Sequence, residues 1–109
     1  MVETSLFIDF MGDSPMIRVI DYLITERELD FSLTDIALNS KIGRATLYRI
    51  LNSLFRNNII LYTRNVGNAK LYKLNLKNQK IKKLIEIYDE LILDELKIKS
   101  NKKGIEIIA

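Results

Sequence analysis

The sequence predicts a mainly α chain with one small β-hairpin, an α+β fold, and three patterns carry that prediction. The first is a pair of helical segments split by a short polar turn, between Leu33 and Asn58. The second is two runs rich in β-branched and aromatic residues, Ile59–Arg64 and Ala69–Leu74, joined by Asn65-Val66-Gly67-Asn68, which reads as a hairpin. The third is a long final segment, about 78–99, whose residues Ile81, Leu84, Ile85, Tyr88, Leu91, Ile92 and Glu95 recur near seven-residue spacing. At 109 residues the chain can bury one hydrophobic core.

Leu6, Phe7, Ile8, Phe10 and Met11 form a dense apolar cluster that could pack on the final helix, and Gly12-Asp13-Ser14-Pro15 stops and restarts the chain. Ser14 as N-cap with Pro15 at the first helical position predicts a helix to about Glu28. Its inward residues are Met16, Ile17, Val19, Ile20, Leu23 and Ile24, and its outer face carries Arg18, Asp21, Thr25 and Glu26. Phe31 is expected in a short strand beside the hairpin.

Thr34 is the expected N-cap of the next helix, with Asp35 where the helix dipole favours a negative charge and Ile36 and Ala37 pointing inward. Ser40-Lys41-Ile42-Gly43 is the turn, and Gly43 caps the helix that follows. In that helix Leu47, Ile50, Leu51, Leu54 and Phe55 form one apolar stripe. The opposite face shows no acid. From Arg44 to Asn57 it would span about 21 Å, enough to lie in a DNA major groove. In the final segment Ile87, Leu93, Leu96 and Ile98 fall outside the seven-residue stripe. So wide an apolar surface on a terminal helix implies that one face packs inward and another meets a second subunit, with Leu84, Tyr88, Leu91 and Ile92 as the expected interface. Ser100–Gly104 is expected to be a loose polar connection, and Ile105–Ile108 fits either a frayed end or a short docked strand.

Charge is distributed as unevenly as hydrophobicity. Between Ile36 and Ile85 there are eleven Lys and Arg and no Asp or Glu, whereas residues 1–35 hold eight acids against Arg18 and Arg27. The modest net charge of +3 therefore hides a strong dipole. An acid-free basic block of this kind is an electrostatic footprint for a polyanion. The acidic helix at 15–28 should sit away from it, because phosphates would repel it.

Leu33–Leu74 resembles the winged helix-turn-helix of archaeal and bacterial transcriptional regulators, the superfamily that includes MarR-like and ArsR-like repressors. The residues that carry the resemblance are LTDIA, the RATLYRIL run, the NNII helix exit and the VGNAKLYKLN wing. It implies a winged helix-turn-helix with an added C-terminal dimerisation helix. Residues 1–77 would form the DNA-binding domain with its N-terminal helical segment, and 78–109 the dimerisation helix and tail. It further implies a recognition helix at 44–57 and a wing tip at 65–69. Two positions depart from the pattern. Lys41 stands where the turn usually has Gly, so a non-glycine must take a positive φ, and Gly43 stands where Ser or Thr usually caps the recognition helix and contacts a phosphate.

The candidate recognition residues are Arg44, Ala45, Thr46, Tyr48, Arg49, Asn52, Ser53 and Arg56, and the candidate wing residues are Arg64, Asn65, Asn68, Lys70 and Lys73. Arg49 sits mid-helix and suits a base edge or a phosphate. Arg44 lies at the helix start, where backbone N–H groups also attract phosphate. Arg56, near the far end, suits backbone or solvent. Tyr48, between Leu47 and Arg49, fits either a half-buried packing role or a contact with sugar and phosphate.

The chain has no Cys and no His, so thiolate or zinc-finger metal sites and Cys or His catalysis are not available to it. Asp89, Glu90, Asp94 and Glu95 cluster without a nucleophile or a glycine-rich loop and read as a solvated helix face. No triad, phosphate loop or metal spacing implies an enzyme or a cofactor. No segment reaches the ~18 apolar residues of a membrane span, and the acidic start lacks the basic region of a signal peptide, so the expected location is the cytoplasm. The expected partners are double-stranded DNA and a second copy of the chain, as in a dimeric regulator, most simply a repressor; an effector is not legible. Two rival readings remain: a structural or partition-type DNA protein of low sequence preference, and a winged-helix module that binds protein.

Overall fold

The computed structural model describes residues 5–108, with side chains to residue 98. Five helices and one hairpin follow in the order α1 (Leu6–Met11), α2 (Pro15–Thr25), α3 (Leu33–Asn39), α4 (Arg44–Arg56), β1 (Ile60–Val66), β2 (Ala69–Leu74) and α5 (Gln79–Ile108). The mainly α architecture with a two-stranded antiparallel hairpin and a long C-terminal helix is the one the sequence predicts.

Hydroxyl caps start the first three helices. Ser5 Oγ accepts from the Ile8 N–H and donates to the Asp21 carboxylate at 2.6 Å, so one hydroxyl both caps α1 and ties it to α2. Burial at that joint raises the Asp21 pKa, and the Ser5 hydrogen bond opposes the rise. Ser14 caps α2 with Pro15 in the first turn, as expected, but α2 ends at Thr25, a few residues short of the predicted Glu28. The cap of α3 is Ser32, whose Oγ accepts from the Asp35 N–H at 3.1 Å; Thr34 lies inside the helix instead. Ser32 wins because its extended backbone (φ −69°, ψ 164° at Ser5 and ψ 160° here) is the geometry that aims a cap hydroxyl back at the first turn.

The same closure ends α3 and α4. After α3, the Lys41 N–H donates to Leu38 O and the Ile42 N–H to Ala37 O, with Lys41 at φ 58°. After α4, the Asn58 N–H donates to Phe55 O and the Ile59 N–H to Leu54 O, with Asn58 at φ 54°. These paired bonds satisfy carbonyls that would otherwise be orphaned at a helix end. Lys41 thus adopts the left-handed conformation the sequence demanded of it. In the hairpin, Gly67 at φ 59° turns the chain in the two-residue loop Gly67-Asn68, where a positive φ is cheap only for glycine.

The core gathers around Phe7, Val19, Leu23, Ile24, Ile36, Leu47, Leu54, Leu74 and Ile81, all nearly or wholly buried. It therefore draws on α1 to α5 and β2 together. Phe31 pairs with Tyr72 through two 2.8 Å backbone bonds, a single bridge rather than the short strand expected beside the hairpin. The N-terminal cluster packs on α5 as foreseen, with the Phe7 and Tyr88 rings 5.7 Å apart. Two further expectations fail. Phe55 is not an inward member of the stripe: it is 39% exposed and turns its ring toward Tyr72 at 5.6 Å. The chain does not loosen at Ser100–Gly104, because α5 continues unbroken to Ile108. That stretch holds no proline, and a single glycine costs a helix only about 1 kcal/mol. Whether Ile105–Ile108 dock on anything lies outside the described side chains.

Candidate nucleic-acid interface

Burial of Leu47 and Leu54 fixes the roll of α4 about its axis and so decides what the helix shows to solvent. Arg44, Ala45, Tyr48, Arg49, Asn52 and Arg56 are exposed, with Thr46 and Ser53 half-buried at the edge. Tyr48 is 52% exposed, which does not fit the half-buried packing role. The Arg44 guanidinium lies 5.9 Å from the Tyr48 ring centre and donates to its hydroxyl at 3.3 Å, which holds both at the start of the helix. Arg49 donates to Thr46 Oγ1 at 3.2 Å, a weak bond that leaves most of its donor fork free. Gly43 caps α4 with no side-chain bond, so the first-turn N–H groups stay open to an anion.

The hairpin stands beside this helix. Its register runs from Ile60 opposite Leu74 to Val66 opposite Ala69, with Thr63 as an extra residue between the paired Tyr62 and Arg64. The bulge lets Thr63 and Arg64 converge on one carboxylate. Asp30 Oδ2 accepts from Thr63 Oγ1 at 2.7 Å and from Arg64 Nε at 3.0 Å, and Arg64 Nη2 donates to Oδ1 at 3.3 Å. The Arg64 guanidinium beside it, with the Thr63 hydroxyl, holds the Asp30 carboxyl below the usual carboxylate range. Arg64 is still largely exposed, so the tie aims the guanidinium rather than hiding it. Asn65, Asn68 and Lys70 are exposed and Lys73 half-buried; Asn65 also accepts from the Tyr62 hydroxyl at 2.7 Å.

Among the described side chains, Arg64 is the one cation of the acid-free block that meets a carboxylate. The other two ion pairs, Arg18 with Asp13 and Arg27 with Asp89, lie outside it. Asp89 is thus not a free member of a solvated carboxylate face: it takes both Arg27 nitrogens, at 2.8 and 3.2 Å, and that contact lowers its pKa. Asp30 was not legible as a site residue, since the pairing of its neighbour Phe31 with Tyr72 brings it beside Thr63 and Arg64 from 33 and 34 residues away.

The four residues expected at a subunit interface divide. Leu84, Tyr88 and Leu91 pack against the protomer's own core, and Tyr88 also shares a 2.6 Å hydrogen bond with Thr25. Ile92 is exposed, and so are Leu93, Leu96 and Ile98 on the outer half of α5 and Leu6, Phe10 and Met11 on α1. Among the described residues there is no cluster of three or more potential metal ligands, and no helix is long and apolar enough to cross a membrane.

Solved structures share this arrangement of helices and hairpin along almost the whole chain. NadR in complex with 4-hydroxyphenylacetate superposes with a TM-score of 0.61 over 94% of this chain and 73% of its own, at 16% identity. MepR, a transcription regulator of the Staphylococcus aureus multidrug efflux pump MepA, gives 0.61 over 93% of this chain and 78% of its own, at 17% identity. A possible transcriptional regulator from Methanosarcina mazei gives 0.53 over 89% and 84%, at 16% identity. The fold is a MarR-like winged helix-turn-helix. In this MarR-like fold α3 and α4 form the helix-turn-helix and β1–β2 the wing. No protein-family profile and no curated protein sequence matches the chain.

Proposed function

We propose that the protein is a dimeric transcriptional regulator that binds double-stranded DNA sequence-specifically and represses by occluding a promoter or operator. The observation that carries this reading is the outward face of α4, which holds Arg44, Arg49 and Arg56 and no acid, beside a wing that carries Arg64 and Lys70. Phosphate neutralisation by the basic block supplies most of the affinity. Thr46, Arg49 and Asn52 read base edges in the major groove, and the wing grips the adjacent backbone or minor groove.

Residues 1–77 act as the DNA-binding unit and α5 as the dimerisation element. The apolar side chains left open on α1 and on the outer half of α5 support a second copy as the occupant of that face. Two-fold symmetry then calls for an inverted-repeat operator with half-sites about one helical turn, roughly 34 Å, apart. Such a protein works in the cytoplasm.

The test is selection of bound sequences from random duplexes, followed by footprinting of the winner. A compact, symmetric footprint supports the reading. Protection that spreads cooperatively beyond one site would instead indicate a DNA-coating protein, and absence of binding to any duplex at low salt would indicate a protein-binding module.

A further inference from the structure

The acid-free block does not end at the wing. Where α4 stops and α5 starts, the chain encloses an open cleft of about 590 Å3 whose rim carries Arg56, Lys77 and Lys80. The walls are fixed by two asparagines. Asn75 Nδ2 donates to Asn58 O, and Asn78 Nδ2 donates to both Asn57 O and Asn58 O, each at 3.0 Å. Their side-chain oxygens accept from the Lys77 N–H at 3.2 Å and the Lys80 N–H at 2.9 Å. The backbone of both lysines is therefore tied to the exit of α4, while their side chains stay exposed. No carboxylate pairs with any of the three cations among the described residues. Three cations on the rim of one cleft, with no carboxylate paired to them, make a positive potential that favours an anion there.

The position of Arg56 names the anion. It follows Arg49 by seven residues on the same outward line of α4, about 10 Å along the axis. The cleft thus begins where the recognition face ends, so an extended polyanion lying along α4 runs straight into it. A DNA strand presents a charge every ~3.4 Å of helix axis and can engage the recognition face and the cleft at once. A small anion could engage only one.

We propose that the Arg56–Lys77–Lys80 cleft is a second phosphate-backbone site, which holds the strand flanking the groove entered by α4. The inference rests on the DNA-binding reading above and extends its footprint. The test is the double substitution Lys77→Gln and Lys80→Gln, measured by fluorescence anisotropy across a salt series. It uses the selected duplex at full length and a shortened form ending at the last base pair protected around α4. Circular dichroism checks that the variant folds. On the full-length duplex the variant should bind more weakly, with a log–log salt slope shallower by up to about 1.8, near 0.9 per lost contact. Its ranking of different sequences should be unchanged, and on the shortened duplex wild type and variant should converge. A variant that keeps the wild-type slope on the full-length duplex overturns the proposal. So does inorganic phosphate that shifts the Lys77 and Lys80 resonances while DNA does not, which would assign the cleft to a free anion. If the wild-type chain binds no duplex at all, the DNA-binding reading itself fails, a result separate from an unchanged slope.

Discussion

Asp30 holds Arg64 by two nitrogens, at 3.0 and 3.3 Å, and so aims the wing's arginine from outside the wing. The carboxylate fixes the orientation of that cation and, on the proposed DNA-binding reading, does so at the cost of a negative charge near phosphate. Asp30→Asn should therefore leave binding to random duplex unchanged or slightly stronger and weaken the preferred site. The ratio between them should shrink by roughly tenfold, about 1.4 kcal/mol. Anisotropy on both duplexes measures it, and an unchanged ratio counts against the aiming role. Because the Asp30 pKa is lowered in the folded protein, the tie is intact above the ordinary carboxylate range near pH ~3.9 and is lost only as pH falls through the lower folded value. Neutral-pH variation should leave it untouched.

Lys70 sits exposed on the wing and forms no ion pair among the described residues. Lys70→Ala should weaken all duplexes alike and make the salt slope shallower by about 0.9. A loss confined to one sequence would show that Lys70 reads bases instead.

Arg49 has the one weak hydrogen bond to Thr46 and a free donor fork. Arg49→Ala should cost roughly 1–3 kcal/mol on the selected site and less on random DNA. Equal losses on both would reassign Arg49 to the backbone.

The exposed apolar face of outer α5 gives a test of assembly that spares the core. Cutting the chain after Asn78 would remove Ile81, which is 1% exposed, and unfold the protein with the dimer. Leu93→Glu with Leu96→Glu changes only exposed positions. If the proposed dimer forms, light scattering should fall from it toward the 12.7 kDa monomer, with the helical dichroism retained. A wild-type chain that is already monomeric at micromolar concentration would remove the dimer from the reading.

Lys41 occupies the left-handed region at φ 58°, where an L side chain is strained by about 1 kcal/mol or more. Lys41→Gly should raise the urea midpoint, for a net gain of up to roughly 1 kcal/mol once glycine's extra chain entropy of about 0.5–1 kcal/mol is set against the strain of about 1–2 kcal/mol. A lower midpoint would mean that the lysine stem contributes more than the strain costs.

Much of this was legible because it is written locally. Ser14-Pro15, the stripe through Leu47 and Leu54, and the glycine at the hairpin turn each declare their structure within a few residues. The basic block was legible by the absence of acids. What sequence could not supply was cross-chain pairing. Asp30 finds Arg64, and Asp89 finds Arg27, across 34 and 62 residues, and no local pattern announces either partner. Phe55 was misjudged for a related reason: its helical position pointed to the core, but the neighbour it found was Tyr72 on the hairpin. The wide apolar surface of α5 was visible in the sequence. Which of its sides α1 and α2 would cover was not.

The two left-handed residues, Lys41 and Asn58, have a thermodynamic meaning. One closes the helix just before α4 and the other closes α4 itself, so the helix is pinned at both ends by bonded turns rather than by loose loops. On the proposed DNA-binding reading, a recognition helix held this stiffly has little disorder left to surrender on entering a groove. Any mismatch of shape must then be absorbed by the DNA, so sequences that deform easily should be favoured even at base pairs the protein never touches.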